Sequence, residues 1–374
     1  MMSYIVVGAG ILGASTAYHL AKAAVDVTIV DRYDEGQATE AAAGIVCPWL
    51  TQRRNKPWYR LVKGGAKYYP SLIEELHELG EKETGYRQVG ALSLHSDKTK
   101  LNKMEERAYA RREDAPEIGE IKRLTPKETQ ALFPPLSEQY GSVYISGGAR
   151  VNGRALRDSL IRAARKYGAK VRTGDAKLHI ERDEITGIIV DDEVLEGEQV
   201  IVTAGAWARD LMKPLDVTFS VSPQKAQIIH LQLRGHDTND WPVVMPPNNK
   251  YILAFQNGKI VMGATHEDEV GFDSRVTAGG IHDIFDKTLS IAPGLRKGSL
   301  LEVRVGFRPF TPDFLPVVGP MPYYKGLWLA NGLGASGLTS GPYLGAELAK
   351  LVLGKLTDLN IDDYNIMDAI RQDS

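Results

Sequence analysis

Gly8, Gly10 and Gly13, in the run Gly8-Ala9-Gly10-Ile11-Leu12-Gly13, are spaced so that a backbone can wrap a pyrophosphate, and Asp31 adds a carboxylate suited to a ribose hydroxyl. Each glycine has its own physical task. Gly8 allows the turn out of a strand, Gly10 lets the backbone approach the pyrophosphate, and Gly13 lets helix and strand pack closely. The N-terminus of the helix that follows offers free N–H groups and the positive end of its dipole to the same anion. The glycine pattern alone says little, because glycine turns are common. Its surroundings complete it: residues 4–7 read as a short apolar strand, Ala14, Ala17, Leu20 and Ala21 as a small-residue helix, and residues 27–31 as a second strand ending in the acid. Residues 1–32 thus read as a whole dinucleotide-binding unit, with a plain βαβ turn as the competing reading.

The elements that must position this unit follow from length and composition. A chain of 374 residues exceeds one average domain, so two intimately joined domains are expected. With 43% apolar and 25% charged residues, it has ample material for a core and no signature of disorder. A net charge of −2 argues against a nucleic-acid partner, which calls for a basic surface. Cys47 is the single cysteine, which rules out an intrachain disulfide and a cysteine-rich metal site; no metal is expected, and a reducing compartment fits. Residues 4–18 are as apolar as a signal peptide but lack a positive leader, and the glycine fingerprint accounts for them better. No apolar run approaches the roughly 18 residues needed to cross a bilayer. A soluble cytoplasmic protein without a membrane span is expected.

Along the chain, the small residues of the run 40–48 fit either a helix in a tight core or backbone lying against a large flat ligand. Arg53, Arg54 and Lys56 read as a solvated loop. Residues 58–79 form an amphipathic helix with Leu61, Leu72, Ile73 and Leu76 inward, residues 89–94 a strand, and the charged stretch 97–128 exposed helices, one of them capped by Thr125 before Pro126. The α/β pattern resumes with a helix over 155–167, a strand from Gly168, a hairpin over 178–191, and a buried strand from Gln199 that ends in Ala204 and Gly205. A strand end stripped of side chains invites a ligand at the sheet edge; a glycine helix cap is the alternative. Between 217 and 263 strands follow one another without helices, which indicates an antiparallel sheet and a second domain. The fold class is α/β, α+β overall: a Rossmann-like domain from residues 1–85, 146–214 and 305–374, and a substrate domain from 86–145 and 215–304.

The run from Arg304 to Pro320 is the second informative stretch. Taken with the fingerprint, residues 39–44, Val202-Thr203-Ala204-Gly205-Ala206-Trp207 and the tail Gly332-Leu333-Gly334-Ala335-Ser336-Gly337-Leu338-Thr339, it resembles the FAD-dependent D-amino-acid oxidase family. The likeness is greatest to its glycine oxidase, sarcosine oxidase and D-amino-acid dehydrogenase branch, and covers residues 4–353. The resemblance implies non-covalent FAD on a Rossmann-like FAD-binding domain, its flavin at the interface with an antiparallel substrate sheet. It implies Ile11 and Leu12 at the pyrophosphate, Asp31 and Arg32 at the adenosine ribose, Ala38 and Thr39 at the phosphates, and Ala43, Gly44 and Ile45 at the flavin. Lys177 would meet adenine through its backbone; Ala204, Gly205 and Trp207 belong to the cofactor site. Leu333, Gly334, Ala335, Ser336, Gly337, Leu338 and Thr339 would close over the flavin, with a helix N-terminus stabilising negative charge on the reduced ring.

For the substrate, the resemblance implies that Arg308 clamps a carboxylate, which a guanidinium fork does bidentately, and that the Tyr251 hydroxyl helps. The resemblance also implies that His266 points towards the flavin, as a candidate proton acceptor or hydrogen-bonding group. Three departures stand out: His266 replaces an apolar residue, Leu333 a histidine and Ala335 a bulkier or basic residue, while Cys47 is not where sarcosine oxidases carry covalent flavin. The implied activity is FAD-dependent oxidation of a small amino acid or N-alkyl amino acid. Hydride passes from Cα to flavin N5, and water hydrolyses the imine to an oxo acid and ammonia or an amine. The partners are then an amino-acid substrate and oxygen or another electron acceptor, and a homo-oligomer is admitted. Three alternatives stay open: a dehydrogenase feeding a quinone or carrier protein, a non-catalytic FAD-binding subunit or regulator, and a nicotinamide dehydrogenase for which Arg32 beside Asp31 hints at a 2′-phosphate.

Overall fold

A strand such as Ser3–Val7, apolar from its second residue onward, has no polar face to give to water and must be covered on both sides. It pairs in parallel with Asp26–Asp31 and with Gln199–Val202, in register Val7 to Val30 and Val7 to Val202. The full sheet has six strands in the order Val317–Pro320, Leu327–Asn331, Gln199–Val202, Ser3–Val7, Asp26–Asp31, Lys170–Thr173, parallel except at the edge pair Val317–Pro320 and Leu327–Asn331. The computed structural model describes residues 3–372; residues 1, 2, 373 and 374 of the expected nucleotide domain lie outside the described residues.

Helix Ile11–Lys22 packs between this sheet and helices Gly153–Lys166 and Gly337–Val352. Small residues make the approach possible. A Cβ on Gly13 would stand 1.8 Å from the Gly8 carbonyl oxygen, and one on Gly345 would stand 2.6 Å from the Ser15 Cβ. Residues 39–44 are neither of the regular elements: they form a turn leading into the short strand Ile45–Val46. Gly44 has φ +99° and a Cβ there would meet the Val151 carbonyl at 1.9 Å, so only glycine fits.

The second sheet has eight strands, ordered Ser299–Phe310, Ser222–Gln232, Lys259–Gly263, Tyr251–Ala254, Val243–Met245, Ala91–His95, Gly141–Ile145, Ile121–Leu124. It departs from the expected antiparallel sheet at one place, where Val243–Met245 runs parallel to Ala91–His95. The two strands belong to separate excursions of the chain, so no hairpin forces them to oppose. The charged stretch 97–128 is also not all helix. After helix Lys98–Arg112 the chain adds the edge strand Ile121–Leu124, and Thr125 and Glu128 then form a capping box for helix Pro126–Leu132. Among the described residues no helix is long and apolar enough to cross a membrane.

Candidate active site

The carboxyl ends of Ser3–Val7, Asp26–Asp31 and Gln199–Val202 face strands Ser299–Phe310 and Tyr251–Ala254 across a cavity of about 660 Å³. Every site residue expected from the sequence lines it except Gly13, which stands behind the wall against Gly8. One end of the cavity is the glycine turn. The Asp31 carboxylate accepts from the backbone N–H of Ala9, from Tyr33 N–H and from Gln37 Nε2 at 2.9 Å, so it ties the turn to the following loop. Thr39 Oγ1 accepts from the Ile11 N–H at 3.0 Å, which leaves the next donors of the helix without an intrahelical acceptor. Arg32 pairs with Asp34 and, at 2.8 Å, with Asp175. A 2′-phosphate would therefore meet Asp31, Asp34 and Asp175 instead of a free guanidinium.

The middle of the cavity is largely backbone. Gly205, at φ +53° and with nothing within 4 Å of its Cβ position, opens the short 3₁₀ turn Gly205–Trp207 and faces the cavity as well. Its carbonyl accepts from Asn331 Nδ2 at 2.9 Å, while Asn331 Oδ1 accepts from Gly332 N–H at 2.7 Å. Asn331 thus knits the strand end to the tail loop. Sequence reading missed it, since no local pattern marks a residue whose partner lies 126 positions away. The tail runs into helix Gly337–Val352, anchored where Thr339 Oγ1 donates to the Ile45 carbonyl at 2.9 Å and Tyr69 OH donates to Leu338 O. The Trp207 ring stacks on Phe272 with centroids 5.0 Å apart and meets Phe307 edge-on.

Arg308, Tyr251 and His266 come together at the other end. Adjacent strands deliver the first of them: Arg308 lies opposite Gln224, and its Nη1 donates to Gln224 Oε1 at 3.0 Å. Gln224 in turn donates from Nε2 to Asp268 Oδ1 at 2.9 Å. Among the described residues no carboxylate forms an ion pair with Arg308. Enclosure lowers its pKa, partly offset by the Tyr251 phenol, while burial raises the Tyr251 pKa against the pull of Arg308. A sheltered guanidinium without an anion is costly unless a ligand supplies one. His266 opens onto the same space. Burial first, then the charges of Arg308 and Lys250, hold its pKa at about 4 against the weaker pull of Asp268 and Asp283, so its imidazole is neutral at neutral pH.

The sequence of residues 3–351 matches the family described as FAD dependent oxidoreductase (DAO). The chain belongs to this family. It is an FAD-dependent oxidoreductase, and the nicotinamide alternative falls. An uncharacterized oxidoreductase of Bacillus subtilis strain 168, YurR, is 61% identical over 99% of this chain and all of its own length. The crystal structure of iminodiacetate oxidase (IdaA) from Chelativorans sp. BNC1 superposes with a TM-score of 0.94 at 45% identity, covering 97% of this chain and 98% of that one. The glycine oxidase of Geobacillus kaustophilus follows at TM-score 0.84 and 26% identity over 98% and 99%.

The cavity walls of this flavoenzyme fit FAD. At Gly10 a Cβ would meet only Thr39 Oγ1, at 3.5 Å, so the position is open for a phosphate to approach backbone. Arg32, its charge balanced by two aspartates, and the hydroxyl-accepting Asp31 suit an unphosphorylated ribose. Cys47 lines the cavity, and burial pushes its thiol up to about 12, which keeps it protonated and poorly nucleophilic. Among the described residues no cluster of side chains suited to a metal ion occurs.

Proposed function

We propose that this flavoenzyme oxidises a small amino acid or N-alkyl amino acid, giving an imine that water hydrolyses to an oxo acid and ammonia or an amine. The observation that carries this reading is Arg308, an enclosed guanidinium without an anionic partner among the described residues, beside Tyr251 at the end of the cavity away from the glycine turn. The similarity to glycine oxidase and iminodiacetate oxidase supports it. FAD, when bound, supplies the hydride acceptor.

The chain's own residues hold and orient. Arg308 and Tyr251 take the substrate carboxylate, and this fixes Cα against the part of the cavity lined by Ala43, Gly44, Ile45 and the tail 333–339. Neutral His266 accepts a hydrogen bond from the substrate amine; its low basicity disfavours a second positive charge beside Arg308. At the far end, Gly8, Gly10, Ile11, Leu12, Ala38 and Thr39 hold the phosphates, Asp31 and Arg32 the ribose, and Lys177 the adenine. Ala204, Gly205 and Trp207 complete that wall, with Gly13 fixing the turn from behind. In this reading the six-stranded sheet is the core of the FAD domain and the eight-stranded sheet that of the substrate domain, whose edge strand Ser299–Phe310 runs past the bound at residue 304 expected from the sequence. Oxygen is the electron acceptor, and the single protonated thiol suits a reducing, cytoplasmic setting.

The test is an anaerobic visible spectrum of the purified holoenzyme during addition of glycine, sarcosine, iminodiacetate and D-amino acids in turn. Bleaching of the flavin band at ~450 nm by one of them, with fast return on admitting air, is the expected result. A flavin that none of them reduces would overturn the proposal, and a band that stays bleached in air would shift the acceptor to a quinone or carrier protein.

A further inference from the structure

Arg53 lies in the loop between Thr51 and Trp58, two residues that line the same cavity, and no carboxylate among the described residues neutralises its charge. The loop 48–55 leaves the cavity wall, which Pro48 and Thr51 line, and enters helix Lys56–Glu78, whose first turn puts Trp58 on the wall as well. The Arg53 guanidinium lies over the Trp58 ring, 4.5 Å from its centroid, and donates from Nη2 to the Phe314 backbone carbonyl at 2.6 Å. Its own N–H is fixed by Thr51 Oγ1 at 3.2 Å. Among the described residues no carboxylate pairs with it, whereas Arg60 and Lys63 on the same helix pair with Asp363 and Asp114. Partial burial without an anion lowers its pKa accordingly.

Phe314 belongs to the loop into which strand Ser299–Phe310 runs directly after Arg308. Arg53 therefore bridges the two loops flanking the substrate end, one leading to Trp58 and the other to Arg308. The remaining cations of the wall, Arg32 and Lys177, are at the nucleotide end, and His266 is neutral. A substrate with a carboxylate on Arg308 and a second anionic group thus finds no second cation among the lining residues at this end, whereas the partly buried Arg53, stacked on the lining residue Trp58, stands next to them.

We propose that Arg53 takes the second carboxylate of the substrate, so that the preferred substrates are N-substituted amino acids bearing two acidic groups; this rests on the function proposed above. The geometry allows the exchange. A neutral carbonyl is the weaker acceptor for a guanidinium, a carboxylate offers a charge-assisted and bidentate alternative, and the planar group can slide on the indole while most of its N–H fork stays free.

Iminodiacetate and sarcosine test this, because they differ only in whether the second N-linked carbon carries a carboxylate. Steady-state kinetics on the full-length holoenzyme should show a wild-type kcat/KM ratio of iminodiacetate to sarcosine well above one. In Arg53→Gln the ratio should fall roughly ten-fold, through KM for iminodiacetate, with Arg53→Lys intermediate. Raising the salt concentration should narrow the wild-type ratio, a readout that needs no variant to fold. A ratio in Arg53→Gln within about two-fold of wild type, or a wild type indifferent to the second carboxylate or to salt, would overturn the role of Arg53 while turnover of sarcosine left the proposed function standing. A holoenzyme reduced by glycine or a D-amino acid that turns over neither sarcosine nor iminodiacetate would overturn this inference alone, and one reduced by none of them would remove both.

Discussion

Gln224 Oε1 accepts a hydrogen bond from Arg308 Nη1 at 3.0 Å, across two strands whose residues lie directly opposite each other. Because Gln224 is buried and also donates to Asp268, it fixes one edge of the guanidinium and leaves the rest for a ligand. Gln224→Leu should therefore raise KM for carboxylate substrates by roughly ten-fold, about what one hydrogen bond to a charged group contributes, with flavin content unchanged. Steady-state kinetics with a flavin-to-protein absorbance ratio checks it; an unaltered KM would mean that strand packing alone positions Arg308.

Arg308→Ala removes the carboxylate partner itself. The loss in kcat/KM should be larger, on the order of 100-fold or more, as for truncating one member of a sheltered charge pair. Arg308→Lys should recover part of the affinity but little of the bidentate orientation. Unchanged kinetics in the alanine variant would sink the clamp assignment.

Gly10 and Gly13 should fail in different ways. Gly10→Val fits the fold, since only Thr39 Oγ1 is near its Cβ position, yet it fills the approach to the phosphates; the protein should be folded and colourless. Gly13→Val would drive a side chain into the Gly8 carbonyl and should be recovered poorly or melt many degrees lower. Circular dichroism with the visible spectrum separates the two, and a yellow, active Gly10→Val would contradict the fingerprint assignment.

Three histidines, His19, His230 and His266, are held at about 4 against an ordinary 6.5, mainly by loss of hydration, although the His266 side chain itself stays exposed. Between these values the unfolded chain binds protons that the folded chain refuses, so these groups make stability fall as pH drops from about 6.5 towards 4. The melting temperature across that window measures it. His19→Gln should flatten the slope, because it takes one of the three titrations away. A slope equal to wild type would contradict the assignment of the depressed pKa to His19.

Cys47 should resist thiol reagents in the native protein and react once the protein is unfolded, since burial keeps its thiol protonated. Rapid labelling of the native holoenzyme would show that the cavity wall opens at this point.

Much of this architecture is legible in local sequence. The fingerprint 8–13, the acid at 31, the helix read over 155–167 and found at 153–166, and the strand block from 217 each declare themselves through spacing within a few residues, because dihedral limits and one-sided burial act locally. The Thr125 cap was readable for the same reason. Other features were not. Nothing near Ile121 marks it as an edge strand, and nothing in residues 91–95 or 243–245 says they pair in parallel. Arg53 was read as part of a solvated loop, since a charge run usually is one; stacking on Trp58 and reaching the Phe314 carbonyl 261 positions away depend on where the second loop lands.

The sequence by itself determined most of the elements, a dinucleotide-binding unit and the residue types able to hold a carboxylate. Only the tertiary structure decided their partners: Gln224 for Arg308, Asn331 for Gly205, Asp34 and Asp175 for Arg32, and no anion among the described residues for Arg308 or Arg53. The physical reason is range. Periodicity and capping are set by neighbours along the chain, whereas hydrogen-bond partners, burial and the charge felt by a side chain are set by whichever distant strand or loop the packing brings beside it.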